Sequence, residues 1–463
     1  MLKSLRIQNF KCWQDTGSIR MAPITLFFGS NSSGKSSIGQ FLMMLKQTVE
    51  SSDRRAVFYP GGKNSAVQLG SYQEMVFQRN LKNRITFDYK WDVGDALKFK
   101  DPVSGQPYSG DILLFNAEVG LDRKKEHSLV LDHLNYQIED SEGNSKLSVG
   151  MERRPDTETE YKVNSEHYLL KRKAGRVWYP SAPVRFYGFP DEVVAYHQNA
   201  DFVQELNLRH EKLFRSLFYL GPLRSKAERL YSWTGVVPES VGYSGENTVA
   251  AILAARNGNR KISLGYRRTA RSFEEIIAIK LEEMGLIEDF KVNPISKQRQ
   301  EYEVKVRTKG SQDWVDLPDV GFGISQVLPV LVECFFAPRD SIIIMEQPEI
   351  HLHPSAQSAL ADVMADVVNS RENGAARNTQ VIIETHSEHF LRRLQRRIAE
   401  KKIAQDMVSA YFADISGTSV RLTTLRIDQF GNILNWPENF FGDEMEDVTE
   451  QAKAAMRRRI AQK

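Results

Sequence analysis

Polar and apolar residues alternate from the first residues of the chain, with Leu5 and Ile7 on one face, and a period of two predicts a strand. A continuous apolar run, "ITLFF" (24–28), predicts a second strand that is buried on both faces and opens into a Gly/Ser-rich loop. The period then changes. Ile38, Leu42, Leu45 and Val49 recur at helical spacing and predict an amphipathic helix after the loop. Between about 83 and 190 the period returns to two. Ile85, Phe87, Tyr89 and Trp91 alternate, as do Tyr136 and Ile138, and turn clusters such as "DPVSGQP" (101–107) interrupt them. This stretch reads as a mostly antiparallel β subdomain inserted into an α/β core. Residues 196–218 and 271–285 read as helical, and 301–310 as strand. The last third is α/β again. The apolar strand at 342–345 precedes a helix with Pro354 in its first position and Leu360, Val363 and Val367 on its stripe. "QVIIE" (380–384) predicts a further strand.

Composition narrows this picture without directing it. With 463 residues, two or three subdomains are expected. Apolar residues make up 41% and charged residues 26%, a soluble, globular balance. The longest apolar runs are too short to span a bilayer, and the charged, alternating start reads as a strand, not a signal peptide. Cys12 and Cys334 lack metal-type spacing and read as reduced thiols, which predicts a cytoplasmic protein. The formal charge of +3 argues neither for nor against nucleic acid, but charge is locally segregated. Residues 392–402 are basic, 438–450 acidic and 453–459 basic again.

The loop "GSNSSGKSS" (29–37) is the most informative motif. It fits G-x-x-x-x-G-K-[ST], with Gly29, Ser30, Asn31, Ser32, Ser33, Gly34, Lys35, Ser36 and Ser37 as candidate phosphate-contacting residues. Glycines allow successive N–H groups to face phosphates, Lys35 would reach the β- and γ-phosphates, and the Ser36 hydroxyl would bind Mg²⁺. The preceding strand and following helix are the context that gives the motif weight. It points to a nucleoside triphosphate and leaves kinase, GTPase and ATPase open.

The second half of such a site is a carboxylate at the end of a buried strand. In "IIIMEQPEIHLHP" (342–354), aligning on Pro348 puts Glu346 in the metal position and Gln347 where a water-activating acid is expected. An amide orients water but accepts no proton. Loss of a general base typically costs about 10²–10⁴ in rate, so slow turnover is expected. Glu349 is a second candidate base if its loop turns inward. His351 and His353 read as turn residues, not metal ligands. "VGFGISQ" (320–326) opens an apolar helix with Gly321, Gly323 and Ser325, and His386 lies just past the tip of the 380–384 strand.

The order of these pieces resembles ABC-type ATPases of the SMC/RecF group. The likeness is greatest to compact bacterial predicted AAA-type ATPases that carry a small C-terminal domain of unknown function. "FKCW…ITLFFGSNSSGKSS", "YLGPLR" (219–224), "DVGFGISQVLP" (319–329), "EQPEIHLHP", "ETHSEHFLRRL" (384–394) and "WPENFF" (436–441) carry it. The resemblance implies an α/β, ABC/RecF-like P-loop ATPase head with an inserted antiparallel β subdomain and a helical segment. Its parts would be an N-terminal lobe (1–82), the β-rich insertion (83–195), a helical/mixed region (196–300), a C-terminal lobe (301–430) and a tail domain (431–463).

The resemblance also implies ATP and Mg²⁺ as ligands, with two heads closing around two ATP molecules in a homodimer or higher homo-oligomer. Each ATP would lie on the 29–36 loop of one subunit and be capped by Gly323 and Ser325 of the other. His386 would sense the γ-phosphate, and Gln73 would contact the metal. Related ATPases of the overcoming-lysogenization-defect type add a Toprim nuclease. No corresponding acidic cluster is present, so the implied effector, such as a nuclease in anti-phage defence, is a separate chain. The alternative is a RecF-like, DNA-binding ATPase of DNA repair or maintenance. The basic face at Arg392, Arg393, Arg396, Arg397 and Lys401 is compatible with nucleic-acid phosphates, and equally with a solvated helix. A third reading is a small-molecule kinase.

Overall fold

The computed structural model describes residues 1–122, 128–154, 157, 160–175, 179–296, 299–417, 419–437, 440 and 444–461. Two sheets dominate it. The first is antiparallel and begins at the N-terminus with β1 (Leu2–Phe10), β2 (Trp13–Asp15) and β3 (Ile19–Arg20). It continues through β5 (Ile85–Lys100), β6 (Pro107–Leu121), β7 (Leu129–Glu139), β8 (Ser145–Arg153) and β9 (Tyr161–Glu166) in the order β2-β1-β5-β6-β7-β8-β9, with β3 beside β1. The strands expected over 83–195 therefore extend a sheet that β1 starts, through the pairing of Ile7 with Phe87 and Leu5 with Tyr89. The alternating residues Phe87, Tyr89, Phe115 and Tyr136 are fully buried on one face. There they meet helix α2 (Phe202–Arg215), whose His210 lies between the Tyr89 hydroxyl at 2.7 Å and the Tyr136 hydroxyl at 2.8 Å. Burial holds that imidazole well below its usual pKa, so it is neutral.

The second sheet carries the chemistry. Its order is β10-β13-β14-β4-β15-β16, where β4 is Ile24–Gly29, β10 Leu217–Leu220, β13 Ile342–Glu346, β14 Gln380–Glu384, β15 Val408–Ser416 and β16 Ser419–Leu425. All its pairings are parallel except β15 with β16. Parallel strands need helical crossovers on both faces, so their residues are apolar on both. In β13 this is literal. Ile342 and Ile344 join the core beneath the antiparallel sheet, and Ile343 and Met345 join the core under the C-terminal helices. Helix α1 (Lys35–Glu50) packs in the first core. The second core holds α3 (Thr248–Asn257), α4 (Phe273–Glu283), α5 (Phe322–Phe336), α6 (Pro354–Asn369) and α7 (Glu388–Ala399). The strand expected near 301 is β12 (Glu301–Arg307), antiparallel to β11 (Asp289–Pro294).

The expected start of α6 at Pro354 is present, and His353 caps it by accepting the Ser355 N–H at 3.3 Å. On α7, Leu391, Leu394 and Ile398 are buried as the pattern requires. Its basic face is largely paired within the chain. Arg393 and Arg397 bind Asp362 on α6, Arg396 binds Glu400, and Arg392 binds Glu388. The aromatic tail also packs inward. Phe440 stacks on Phe412 at 4.8 Å and meets Phe28 and Trp436. Of "WPENFF", Glu438, Asn439 and Phe441 lie outside the described residues, as do 441–443 of the acidic stretch; α8 (Glu444–Ala461) follows. Among the described residues, no helix is long and apolar enough to cross a membrane.

Candidate nucleotide site

The site lies at the carboxyl ends of the parallel strands, where open α/β sheets form their crevices. Strand β4 ends at Gly29, whose φ of 146° would be strained in other residues. A Cβ on Gly29 would fall 2.2 Å from the Ala413 carbonyl oxygen of β15, and one on Gly34 (φ 81°) would fall 2.1 Å from Cys12 Sγ. Both glycines are therefore required by close approach as well as by backbone angle. Lys35 is buried and its ammonium folds back on the loop, donating to the Gly29 carbonyl at 3.0 Å and the Ser30 carbonyl at 2.6 Å, with Ser33 Oγ at 3.4 Å. Burial lowers its pKa, and the charge of Glu384 opposes that. Ser37 accepts the Trp13 indole N–H at 2.7 Å, which ties the helix start to the β1–β2 hairpin.

A cavity of about 580 Å³ opens over this loop. The loop contributes Asn31, Ser32, Gly34, Lys35, Ser36 and Ser37 to its lining. Gln347, Glu384 and His386 line it from the strand tips, and Lys11, Cys12 and Gln40 close it from the hairpin and α1. The three strand-tip residues come together because β14 lies between β13 and β4, with Glu346 registered opposite Glu384 and Glu384 opposite Phe27.

The acids are not equivalent. Glu346 accepts the Tyr219 hydroxyl at 2.8 Å, and Arg224 reaches its backbone carbonyl at 3.4 Å. Burial, and then the Glu384 charge, push the Glu346 carboxyl up to about 7. Burial also raises Glu384, opposed by a hydrogen bond from Ser36 and by the charge of Lys35. Gln347 sits at φ 44°, in the left-handed region, and donates its N–H to the Glu384 carbonyl at 2.8 Å. That kink turns Glu349 inward, as the sequence allowed, but onto the backbone. Its Oε1 accepts the His386 N–H at 2.8 Å, and it is not among the residues lining the cavity. The His386 imidazole is held below its usual pKa by burial and by the neighbouring Lys35 charge.

Four expected residues outside the phosphate loop and the carboxylate strand stand apart from the cavity. Gln73 is exposed on the helical turn Tyr72–Met75. Gly321, Gly323 and Ser325 begin α5 but are not in the lining, and Ser325 donates to the Phe322 carbonyl at 2.8 Å. Gly323 is packed so that a Cβ would lie 3.1 Å from the His351 carbonyl oxygen. His351 itself sits edge-on to Phe322, at 5.0 Å. Sequence reasoning did not assign a role to Lys11, Cys12, Gln40, Tyr219, Arg224 or Glu384.

A nucleoside triphosphate fits this cavity on its own evidence. The glycine positions leave no room for side chains beside a loop whose lysine is held by nothing stronger than carbonyls. Among the described residues, no group of three or more His, Cys, Asp or Glu is placed to hold a metal ion. One or two carboxylates and a serine suit Mg²⁺, which takes its remaining oxygens from water and phosphate.

The model of the AAA ATPase domain family matches residues 1–178 and 257–391, more than half of the chain. The chain belongs to the AAA ATPase domain family. In this AAA ATPase domain protein, residues 403–451 also match a family of unknown function, DUF3696. No curated protein matches the chain. Among solved structures, it is similar to an SMC head bound to the C-winged helix domain of ScpA (12% identity, covering 92% of this chain and 98% of that one, TM-score 0.41). It is also similar to the SMC head domain from Thermotoga maritima (11%, 92% and 99%, 0.39). A third is the Smc head domain from Pyrococcus furiosus, with an extended coiled coil and bound to the C-terminal domain of ScpA (11%, 98% and 99%, 0.42).

Proposed function

We propose that the chain is an ATP-driven switch: a head that binds ATP with Mg²⁺ in the 580 Å³ cavity, closes against a second copy and hydrolyses slowly. The observation that carries this reading is the convergence of the phosphate loop with Gln347, Glu384 and His386, while Gly321–Ser325 lies outside the same cavity. A loop site lacking its cap invites completion by a second subunit, with Gly321, Gly323 and Ser325 placed on the triphosphate in trans. Mg²⁺ would be held by Ser36 and a carboxylate of the strand tips, where it would neutralise phosphate charge; the Glu346 expected for that role is not in the cavity lining. Gln73, exposed on its turn, would join only if closure moves it.

In hydrolysis, water attacks the γ-phosphorus, the bond to the bridging oxygen breaks, ADP and phosphate leave, and one proton must be carried off. Gln347 orients that water and takes no proton. Glu349 acts on His386 by holding its N–H, and His386, neutral, reads the γ-phosphate. Gln347→Glu is expected to raise steady-state ATP turnover by roughly tenfold, less than the about 10²–10⁴ that a well-placed general base supplies, because the slot is built around an amide. Unchanged or lower turnover in a folded Gln347→Glu protein would remove Gln347 from the water position.

Closure around ATP would then be the signal to a separate effector, such as a nuclease, in a cytoplasmic anti-phage system; the resemblance stated above supports that part of the proposal. Direct DNA binding is less favoured, because Arg392, Arg393, Arg396 and Arg397 are engaged by carboxylates of the same chain. The decisive experiment mixes two inactive variants, Lys35→Ala and Ser325→Ala. In a mixed dimer one composite site is intact, so ATP-dependent association and up to about half of the turnover per dimer should return. No recovery at any mixing ratio would mean that each subunit works alone, as a kinase-type loop would.

A further inference from the structure

The acid that faces the phosphate loop is not the one the motif points to. We propose that Glu384 joins the Ser36 hydroxyl in holding the divalent cation that accompanies the nucleotide, an inference that rests on the nucleotide reading above. Glu384 ends β14, the strand between the loop strand β4 and the Glu346 strand β13. Its side chain lines the cavity beside Lys35 and Ser36, and the Ser36 hydroxyl opposes the rise in its pKa. Glu384 is only 9% exposed, yet among the described residues its Oε2 has no hydrogen-bond partner. A buried carboxylate oxygen left without a partner is costly, and a cation is what such an oxygen accepts.

The neighbouring groups leave this role to Glu384. Lys35 is spent on the Gly29 and Ser30 carbonyls. Glu346 stands one strand further from the loop and already accepts the Tyr219 hydroxyl. Glu349 also keeps an unpaired oxygen, but it lies outside the cavity lining and holds the His386 N–H. Two carboxylates at the same register of adjacent parallel strands sit about 5 Å apart at the backbone and repel each other. A divalent ion between Glu384 and Ser36 removes that repulsion as well as pairing the free oxygen.

The test is equilibrium binding of a fluorescent ATP analogue, mant-ATP, to the full chain in Mg²⁺ and in EDTA. The variants are Glu384→Gln, which keeps the side-chain shape and an acceptor for Ser36, and Glu384→Asp, which keeps the charge. Wild type should bind more tightly in Mg²⁺ than in EDTA. Glu384→Gln should lose about tenfold or more of that Mg²⁺-dependent gain while binding in EDTA as well as wild type or better, since a charge opposing phosphate has gone. Glu384→Asp should keep most of the gain, which also guards against a Gln variant that fails to fold. An undiminished Mg²⁺ gain in Glu384→Gln overturns the cation role, even if turnover falls. Absence of mant-ATP binding by wild type in either condition overturns the nucleotide reading and this inference with it. Binding with the Mg²⁺ gain intact in both variants overturns this inference alone.

Discussion

Lys35→Ala is expected to weaken ATP binding by about 100-fold while leaving the fold intact. The size follows from what the ammonium does in each state. A hydrogen bond to a charged partner contributes about 1.5–3 kcal/mol, and the triphosphate offers the lysine more than one oxygen. At about 1.4 kcal/mol per tenfold, losing roughly 3 kcal/mol gives the stated loss. The same ammonium caps two loop carbonyls, those of Gly29 and Ser30. Its removal exposes these carbonyls to water at the rim of the cavity, where Ser30 is already exposed, so little stability should be lost. Lys35→Met, which keeps the stem without the charge, should bind as poorly as Lys35→Ala. Equilibrium binding of mant-ATP, with a thermal melt of each variant as control, checks this. Affinity within threefold of wild type would mean that the cavity over residues 29–37 is not where the triphosphate lies.

Much of this site is written in local pattern, because its backbone is made by short segments with strong preferences. The glycines of the loop, the strand before it and the helix after it are contiguous in sequence, and so are β13 and the Glu346–Gln347 pair. What was not legible is what only the sheet order brings together. Lys11 and Cys12 reach the cavity because β1 hairpins over α1, and Tyr219 and Arg224 reach Glu346 because β10 pairs with β13 across more than a hundred residues. Glu384 is a different case. Its signal, an acid closing a run of apolar strand residues, is the same one that marks Glu346, and it stands two residues before His386 in the same strand-tip segment. The inward turn of Glu349 depends on the left-handed backbone of Gln347, an angle that composition around a glutamine does not announce. On α7, the basic stripe is compatible in sequence with phosphate contact and equally with a solvated helix, and only the fold places Asp362 of a neighbouring helix against two of its arginines.

Arg377→Ala is expected to destabilise the protein by about 3–5 kcal/mol, although residue 377 belongs to none of the motifs. Helix α5, which starts at the Gly321–Ser325 segment, ends in the second core at Phe336. The last carbonyls of a helix have no partner inside it, and here they are not open to water. Two arginines supply the missing donors. Arg260 donates to the Phe336 carbonyl at 2.6 Å and the Phe335 carbonyl at 3.4 Å. Arg377 donates to the Cys334 carbonyl at 3.1 Å, the Ala337 carbonyl at 2.6 Å and Ser370 Oγ at 3.2 Å. Arg377 is fully buried, and burial lowers its pKa to about 10, so its charge is kept at a cost. Removing the side chain recovers that cost but strands three buried acceptors, leaves a cavity of arginine size and deprives Glu372 of one of its cations. The losses outnumber the single gain, which sets the sign. Arg377→Lys can satisfy only part of the carbonyl set and should fall between wild type and alanine. Urea unfolding of the three proteins measures the order. An Arg377→Ala protein within 1 kcal/mol of wild type would show that the end of α5 is held by Arg260 and apolar packing alone.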